Sequence, residues 1–224
     1  MSTIETLINQ SIDIYLRSKV DKQAEINDFE ENLKSLKDII NSYYITHKEK
    51  EAILYTLIES ILCLEQSALC ALNGLYSLAM DSLRKVVELI VFGMHFDKNP
   101  SDFHNWLAGA SEFRFSQKLD SVYSFPEIRH WSNPFNTQLK QDISNIFKSL
   151  SQYTHSNPTK WEQNLRDSWQ LEFDSGKFTI WNDYLKEVLQ CICTLLAIYS
   201  PRTINEAYSR IIKPTVFQEI MSNL

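Results

Sequence analysis

Glycine and proline are scarce in this chain. Its 224 residues include 4 glycines and 6 prolines, whereas average usage would supply about sixteen and about eleven. Because these two residue types make most tight turns, their scarcity disfavours a fold of many short strands. Hydrophobic residues make up 44% of the sequence, which is enough to fill the core of one domain of this length. The composition therefore predicts a globular, mainly helical protein.

Cysteine is also sparse. Cys63 and Cys70 lie on one expected helix, and Cys191 and Cys193 lie on another, without a C-x-x-C pair. The basic and apolar regions of a secretory signal do not follow Met1. We therefore expect reduced thiols and a cytoplasmic location.

Positive charge is in deficit, with a formal net charge of −6. Such a chain has no global positive field to attract nucleic acid, so an RNA site would have to be local, and nothing indicates DNA binding. A membrane span needs roughly 18 uncharged apolar residues. The best candidate, residues 75–96, is interrupted by Asp81, Arg84, Lys85 and Glu88. We therefore expect no membrane crossing.

Helical periodicity dominates the sequence and predicts an all-α antiparallel bundle. Residues 75–96 are apolar on nearly every side, which is typical of a helix surrounded by others. We expect a single domain over residues 1–200, with an N-terminal helical pair at 1–45 and a core bundle at 46–199. Residues 201–224 would form a tail with a short helix. Residues 171–180 alternate with period two around a glycine, which predicts one small β-hairpin.

A polar stripe interrupts the expected central helix. Asp81, Arg84 and Glu88 follow three- and four-residue spacing, and His95 lies seven residues further on the same face. Because an unpaired buried charge costs several kcal/mol, Arg84 and Glu88 must pair or line a wetted groove. A register-fixing ion pair and one wall of a functional pocket both satisfy this requirement.

A second candidate site lies at the C-terminal end of the helix expected at residues 136–153. Ser151 and His155 are four residues apart and would share one surface. A histidine here can act as a general acid or base near neutral pH. It can equally bind the last carbonyl groups of its own helix.

Other common sites are absent from the sequence. The five histidines lack zinc or di-iron spacing, and no phosphate-binding glycine loop or nucleophile elbow occurs. We therefore expect no metal and no cofactor. Four of the five tryptophans lie in the second half of the chain. We expect the tryptophans to pack connecting segments onto the bundle, with a partner-binding patch as the alternative. They are Trp106, Trp131, Trp161, Trp169 and Trp181.

Short motifs give the chain a family resemblance. The segment Gly74-Leu75-Tyr76-Ser77-Leu78-Ala79 leads into Leu83-Arg84 and Glu88, and a Leu-Ser-x-Tyr-x-His segment follows at residues 150–155. Over roughly residues 60–200 this pattern resembles HEPN-like helical domains of prokaryotic defence and toxin–antitoxin systems. The resemblance implies a commonly dimeric bundle whose active members cleave RNA without metal through an Arg-x(4 to 6)-His motif.

The chain departs from that motif. No arginine precedes His155 at the required spacing, and the nearest cation there is Lys148. Lysine supplies charge without the bidentate geometry of arginine. Under the resemblance, Arg84 would have to replace the missing arginine in space, with Glu88 orienting it.

Three functions are therefore open. The first is a HEPN-like recognition subunit of a bacterial defence or toxin–antitoxin assembly, binding protein or RNA as a homodimer or with a different protein. The second is a metal-independent endoribonuclease whose catalytic residues are His155 with Arg84 or Lys148, supported by Glu88 and Ser151. The third is an acidic immunity-type adaptor without a catalytic site.

Overall fold

The computed structural model describes residues 3–110, 112–131, 133–154 and 172–222, and within them it confirms the all-α prediction: no strand occurs there. The eleven helices in this part of the chain are α1 (Thr3–Asp21), α2 (Gln23–Thr46), α3 (Glu51–Leu72), α4 (Tyr76–Lys98), α5 (Pro100–Leu107), α6 (Phe115–Tyr123), α7 (Pro126–Arg129), α8 (Asn133–Thr154), α9 (Ser175–Tyr199), α10 (Glu206–Ile211) and α11 (Pro214–Ser222). A 3-10 turn covers Pro201–Thr203.

Helix α4 is the central helix that its apolar sequence predicts. It packs against α3, α5, α6, α8 and α9. Its residues from Ile90 to Phe96 are all buried, so the helix has no outward face over those two turns. Neighbours on every side explain why apolar residues occupy nearly every position there.

The tightest helix contact joins α3 to α4. A Cβ atom added at Gly93 would overlap the Thr56 hydroxyl, so glycine alone permits this approach. About three turns further along α3, the Ser67 hydroxyl donates to the Ala79 carbonyl oxygen at 2.7 Å. The Trp181 indole N–H of α9 donates to the same hydroxyl at 2.9 Å. Small and hydroxylated residues thus bring three helices together.

The first two helices attach to the bundle to different degrees. Helix α2 buries Leu36, Ile39 and Tyr43 almost completely. Helix α1 is held through Ile14 and a hydrogen bond from the Ser18 hydroxyl to the Leu72 carbonyl oxygen at 3.0 Å. The apolar face that predicted α1 remains largely exposed.

The predicted β-hairpin at residues 171–180 is wrong. Residues 175–180 are the first turns of α9, and the Asp174 carboxylate caps that helix by accepting from the Lys177 backbone N–H at 2.9 Å. Gly176 has no positive φ, so it makes no turn. The buried residues Phe178, Trp181 and Leu185 recur at helical spacing, which the local alternation of polar and apolar residues obscured.

The segments flanking the bundle pack onto its core. Trp131 and Trp181 are buried, and Trp106 packs against the same core. Trp161 and Trp169 lie outside the described residues. In the C-terminal segment, Tyr208 is fully buried, and α10 contacts both α2 and α9.

We predict that Gly93→Ala destabilises the fold by about 2 kcal/mol, because the new methyl group overpacks the α3–α4 contact. Urea unfolding followed by circular dichroism measures this loss. Adding Thr56→Ala should recover most of it, since that change removes the overlapping hydroxyl. Equal stability of Gly93→Ala and the original chain would contradict the close approach.

Candidate functional site

The polar stripe of α4 forms a network centred on Arg84. The guanidinium Nε lies 3.3 Å from Asp81 Oδ1, and Nη1 lies 3.1 Å from Glu88 Oε2. The same guanidinium is 5.6 Å from the ring centroid of Phe147 on α8. Arg84 therefore links α4 to α8 while its charge is matched by two carboxylates, as the ion-pair interpretation of the stripe requires.

The two carboxylates of this network differ in how far neighbouring positive charge offsets the effect of burial on their pKa. Burial raises the pKa of Asp81, but hydrogen bonds and charge from Lys85 and Arg84 outweigh burial and hold that pKa below its ordinary value. Burial also raises the pKa of Glu88, and Arg84 offsets that rise only in part. Glu88 is therefore the carboxylate whose negative charge is less fully stabilised.

Glu88 lines a groove of about 600 Å³ bounded by α3, α4, α5 and the segment before α6. Its charged lining consists of Glu59, Glu88, Glu112 and Lys85. Its aromatic lining consists of Tyr55, Phe92, Trp106 and Phe113. Carboxylates beside aromatic rings attract cations, through charge and through the negative faces of the rings. This acidic aromatic groove can hold a lysine or arginine side chain.

An apolar stripe on α3 adjoins the groove. Tyr55, Ile58, Leu62 and Leu69 follow helical spacing and are 41%, 56%, 53% and 59% exposed. We call these four residues the α3 face. Every charged residue of α3 is a glutamate. By length and composition α3 is the one described helix that could span a membrane, and 44% of its most apolar window is buried. The helix is thus apolar on its outer side as well as its inner side.

The structure brings together only part of the predicted catalytic set. Arg84 and Glu88 are in contact, as described. The Ser151 hydroxyl donates to the Phe147 carbonyl oxygen at 2.7 Å, one turn back in α8. The Lys148 side chain is exposed. His155 lies outside the described residues, so its predicted convergence with Arg84 stays a prediction.

A second polar cluster was not recognised from the sequence as a unit. Nδ1 of the buried His95 lies 2.9 Å from Ser121 Oγ, and Nε2 lies 2.7 Å from Asp102 Oδ2. Lys118 Nζ lies 2.9 Å from both Nε2 and that carboxylate oxygen. The four residues come from α4, α5 and α6, and no short motif contains them. Their contacts fasten the two shorter helices to the central one.

The surroundings of the His95 imidazole shift its pKa downward, toward the neutral form. Burial lowers its pKa, the hydrogen bond to Asp102 opposes that shift, and the positive charge of Lys118 reinforces it. The cluster contains the residue types of a hydrolase triad, but a lysine ammonium contacts its carboxylate. A cation there reduces the ability of Asp102 to stabilise a protonated histidine.

Thiol and metal chemistry find little support in the described part of the chain. The four cysteines are free, and burial raises the pKa of each thiol, which disfavours the reactive thiolate. Within the described ranges, no group of three or more histidine, cysteine, aspartate or glutamate residues could hold a metal ion.

We predict that Arg84→Met destabilises the fold by about 2 kcal/mol, because it leaves the partly buried Glu88 carboxylate without its cation. Glu88→Leu in the same chain should restore stability to within about 0.5 kcal/mol. Chemical denaturation at neutral pH compares the two variants. A double variant as unstable as the single one would show that Arg84 acts through packing on Phe147 instead.

The lowered pKa of His95 predicts a pH dependence of stability. The unfolded chain binds a proton at His95 more readily than the folded chain does. The contribution of His95 to the free energy of unfolding therefore falls as pH decreases below about 6.5, and it levels off below the pKa of the folded state. His95→Asn should therefore flatten the loss of unfolding free energy between about pH 7.5 and 5.5. His47, whose pKa burial also lowers, remains in both proteins. The exposed-site change His104→Asn is the control and should leave the slope unchanged.

Comparison of the chain with models of protein families, with curated proteins and with solved structures finds no match. The resemblance to HEPN-like domains therefore rests on the short motifs alone. The features of the structure that bear on function are the groove and the α3 face.

Proposed function

We propose that this chain is a recognition subunit that binds an amphipathic, basic helix of a partner protein on the α3 face and in the adjoining acidic groove. The exposed apolar stripe of α3 carries this proposal. Four large apolar side chains, each about half exposed, follow one side of a helix whose inner side already forms the core. A row of exposed large apolar side chains of this kind is typical of a protein interaction site.

The spacing of the α3 face fits a helical partner. Tyr55, Ile58, Leu62 and Leu69 lie at intervals of three, four and seven residues, so they form a straight ridge along the helix. A second amphipathic helix can pack its own apolar stripe along this ridge, as helices do when the side-chain ridges of one fit the grooves of the other. Large apolar anchors at the centre of such a contact supply most of its binding energy.

The charge around the ridge favours a basic partner. Glu51 and Glu59 flank the α3 face, and α3 contains no lysine or arginine. Glu65 also lies beside this face, but it forms an ion pair with Lys37 of α2 at 2.8 Å. In the groove, Glu88 is paired with Arg84 and Lys85 is paired with Asp81, so Glu59 and Glu112 supply the net negative charge of the lining. A lysine or arginine beside the partner's apolar stripe can enter between these carboxylates and the aromatic rings. Complementary charge of this kind favours the correct partner and speeds association.

The same charges disfavour a second copy of the chain on the α3 face. In an antiparallel pair of α3 helices centred on Leu62, Glu59 of each copy would face Glu65 of the other. The Lys37 ion pair offsets part of the Glu65 charge, and the remaining like charge across the interface is costly. The homodimer that the family resemblance implies would use another surface. Helix α1 exposes Ile8, Ile12 and Leu16 at four-residue intervals, and this apolar row is the surface we assign to it.

The setting implied by the resemblance, a bacterial defence or toxin–antitoxin assembly, is compatible with such a subunit and with the acidic adaptor alternative. The endoribonuclease alternative requires Arg84 to stabilise charge on a phosphate. Its guanidinium is instead engaged by Asp81, Glu88 and the Phe147 ring. Releasing it would cost those interactions, which supports recognition over catalysis.

We predict that the chain binds a synthetic amphipathic helix of about four turns with a leucine stripe flanked by lysines, measured by fluorescence anisotropy. Ile58→Gln with Leu62→Gln should weaken binding about tenfold, because both side chains are exposed anchors. Glu59→Gln with Glu112→Gln should weaken it and reduce its salt dependence. Leu78→Gln is the matched control, since Leu78 is 55% exposed on α4 and belongs to neither surface.

Three outcomes would contradict the proposal. Equal affinity for a peptide with glutamates in place of the lysines would remove the role of charge. Stronger binding to phospholipid vesicles, lost in the α3 face variant, would assign the surface to a membrane. Cleavage of RNA in EDTA, lost in His155→Ala, would support the endoribonuclease.

A further inference from the structure

Helix α1 turns its most apolar side away from the bundle. Its inner side consists of Ser11, Ile14 and Ser18, which recur at intervals of three and four residues. The Ser11 hydroxyl donates to Asn73 Oδ1 at 2.6 Å, and the fully buried Ser18 donates to the Leu72 carbonyl oxygen. Two of the three inward-facing side chains are therefore polar, and hydrogen bonds at the C-terminal end of α3 satisfy them.

The outer side of α1 carries a row of large apolar side chains. Ile8, Ile12 and Leu16 lie at four-residue intervals and are 53%, 51% and 53% exposed. We call these three residues the α1 row. A rotation of about 100° per residue places Ile12 on a different side of the helix from all three inner residues. An amphipathic helix gains stability by burying its apolar side, so the α1 row has the character of a surface that a partner covers.

Charged residues of opposite sign lie at the two ends of the α1 row. Glu5 is in the first turn of α1 and Lys19 is in the last, seven residues before and seven residues after Ile12. Residues seven apart in a helix share one face. Glu5, the α1 row and Lys19 therefore form one stripe, whose order is acidic, apolar and basic. Turning this stripe end over end about Ile12 exchanges its acidic end with its basic end, so the stripe is complementary to an inverted copy of itself.

We propose that α1 packs antiparallel against α1 of a second copy of this chain, with Ile12 at the two-fold axis. In this arrangement Ile8 of each copy contacts Leu16 of the other, and Glu5 of each copy faces Lys19 of the other. A two-fold interface uses the same patch on both subunits, so it requires a patch that complements itself. A partner helix with charges of one sign would meet a like charge at one end of the stripe, which disfavours it relative to a second copy.

The proposed contact is small. A single pair of helices of about five turns buries less than the roughly 800 Å² per partner of a standard interface. We therefore expect a concentration-dependent dimer with a dissociation constant on the order of 10–100 µM. The proposal is independent of the partner-binding function assigned to the α3 face.

Sedimentation velocity on the full chain, from about 1 to about 300 µM, measures this association. We expect a monomer at the lowest concentration and a dimer at the highest. Ile12→Gln should weaken the association at least about tenfold, because this side chain lies at the centre of the contact. Leu107→Gln is the matched control, since Leu107 is also 51% exposed but lies on α5.

Charge-swap variants test the antiparallel order. Glu5→Lys leaves a lysine at both ends of the stripe, and Lys19→Glu leaves a glutamate at both ends. Each variant alone should therefore associate about fivefold more weakly than the original chain. An equimolar mixture of the two should regain the original affinity, because every lysine in the mixed dimer then faces a glutamate. Both changes in one chain should regain it for the same reason, and high salt should reduce the differences.

A thiol at the two-fold axis tests the register. Two antiparallel helices in contact bring the Cα atoms at their crossing point within disulfide range. Mild oxidation should therefore cross-link Ile12→Cys into a covalent dimer. Arg17→Cys places a thiol at an exposed position on another side of α1, and it should cross-link no more than the original chain with its four free cysteines.

Three outcomes would overturn the proposal. The first is a monomer at every concentration, and phospholipid vesicle binding by that monomer, lost in Ile12→Gln, would assign the α1 row to a membrane instead. The second is a dimer that Ile12→Gln leaves unchanged. The third is a mixture of the two charge variants that associates no more tightly than either variant alone.

Discussion

Where α3 crosses α4, Gly93 leaves room for the Thr56 side chain, and this close approach sets the geometry on which the rest of the molecule depends. It places the inner side of α3 against the most buried turns of α4. It also fixes where the outer side of α3 lies. Because Ser67 accepts from the Trp181 indole and donates to the Ala79 carbonyl oxygen, the same contact positions α9. The groove between α3 and α4 follows from this arrangement.

The charged residues of the central helix are explained by what surrounds them. Asp81, Arg84 and Glu88 occupy the one side of α4 that is not fully enclosed, and Arg84 spans from there to the Phe147 ring. Leucine at these positions would pack well but would leave the groove without its carboxylate. The network therefore fixes the α4–α8 contact and gives the groove its charge.

Charge is distributed unevenly over the surface. The α3 face and the acidic groove combine glutamates with apolar and aromatic side chains, whereas the cavity where α6, α7 and the start of α8 meet is lined by two cations, Arg129 and Lys140. A net charge of −6 conceals this local positive region. Separate regions of opposite sign suit ligands of opposite chemistry, and they reduce competition between them.

The sequence by itself determined the fold class and the central helix, because helical periodicity is a local property. The i, i+4 spacing placed Arg84 and Glu88 on one face but left open whether they pair or line a groove. The prediction from sequence was wrong at residues 171–180, where polar and apolar residues alternate as they do in a strand. The Asp174 cap and the buried residues that follow it stabilise a helix there instead. Only the tertiary structure assembled the His95 cluster and brought Tyr123, Arg129 and Asn136 to one cavity. Those residues come from different helices, so their proximity depends on helix packing, which local sequence patterns do not encode.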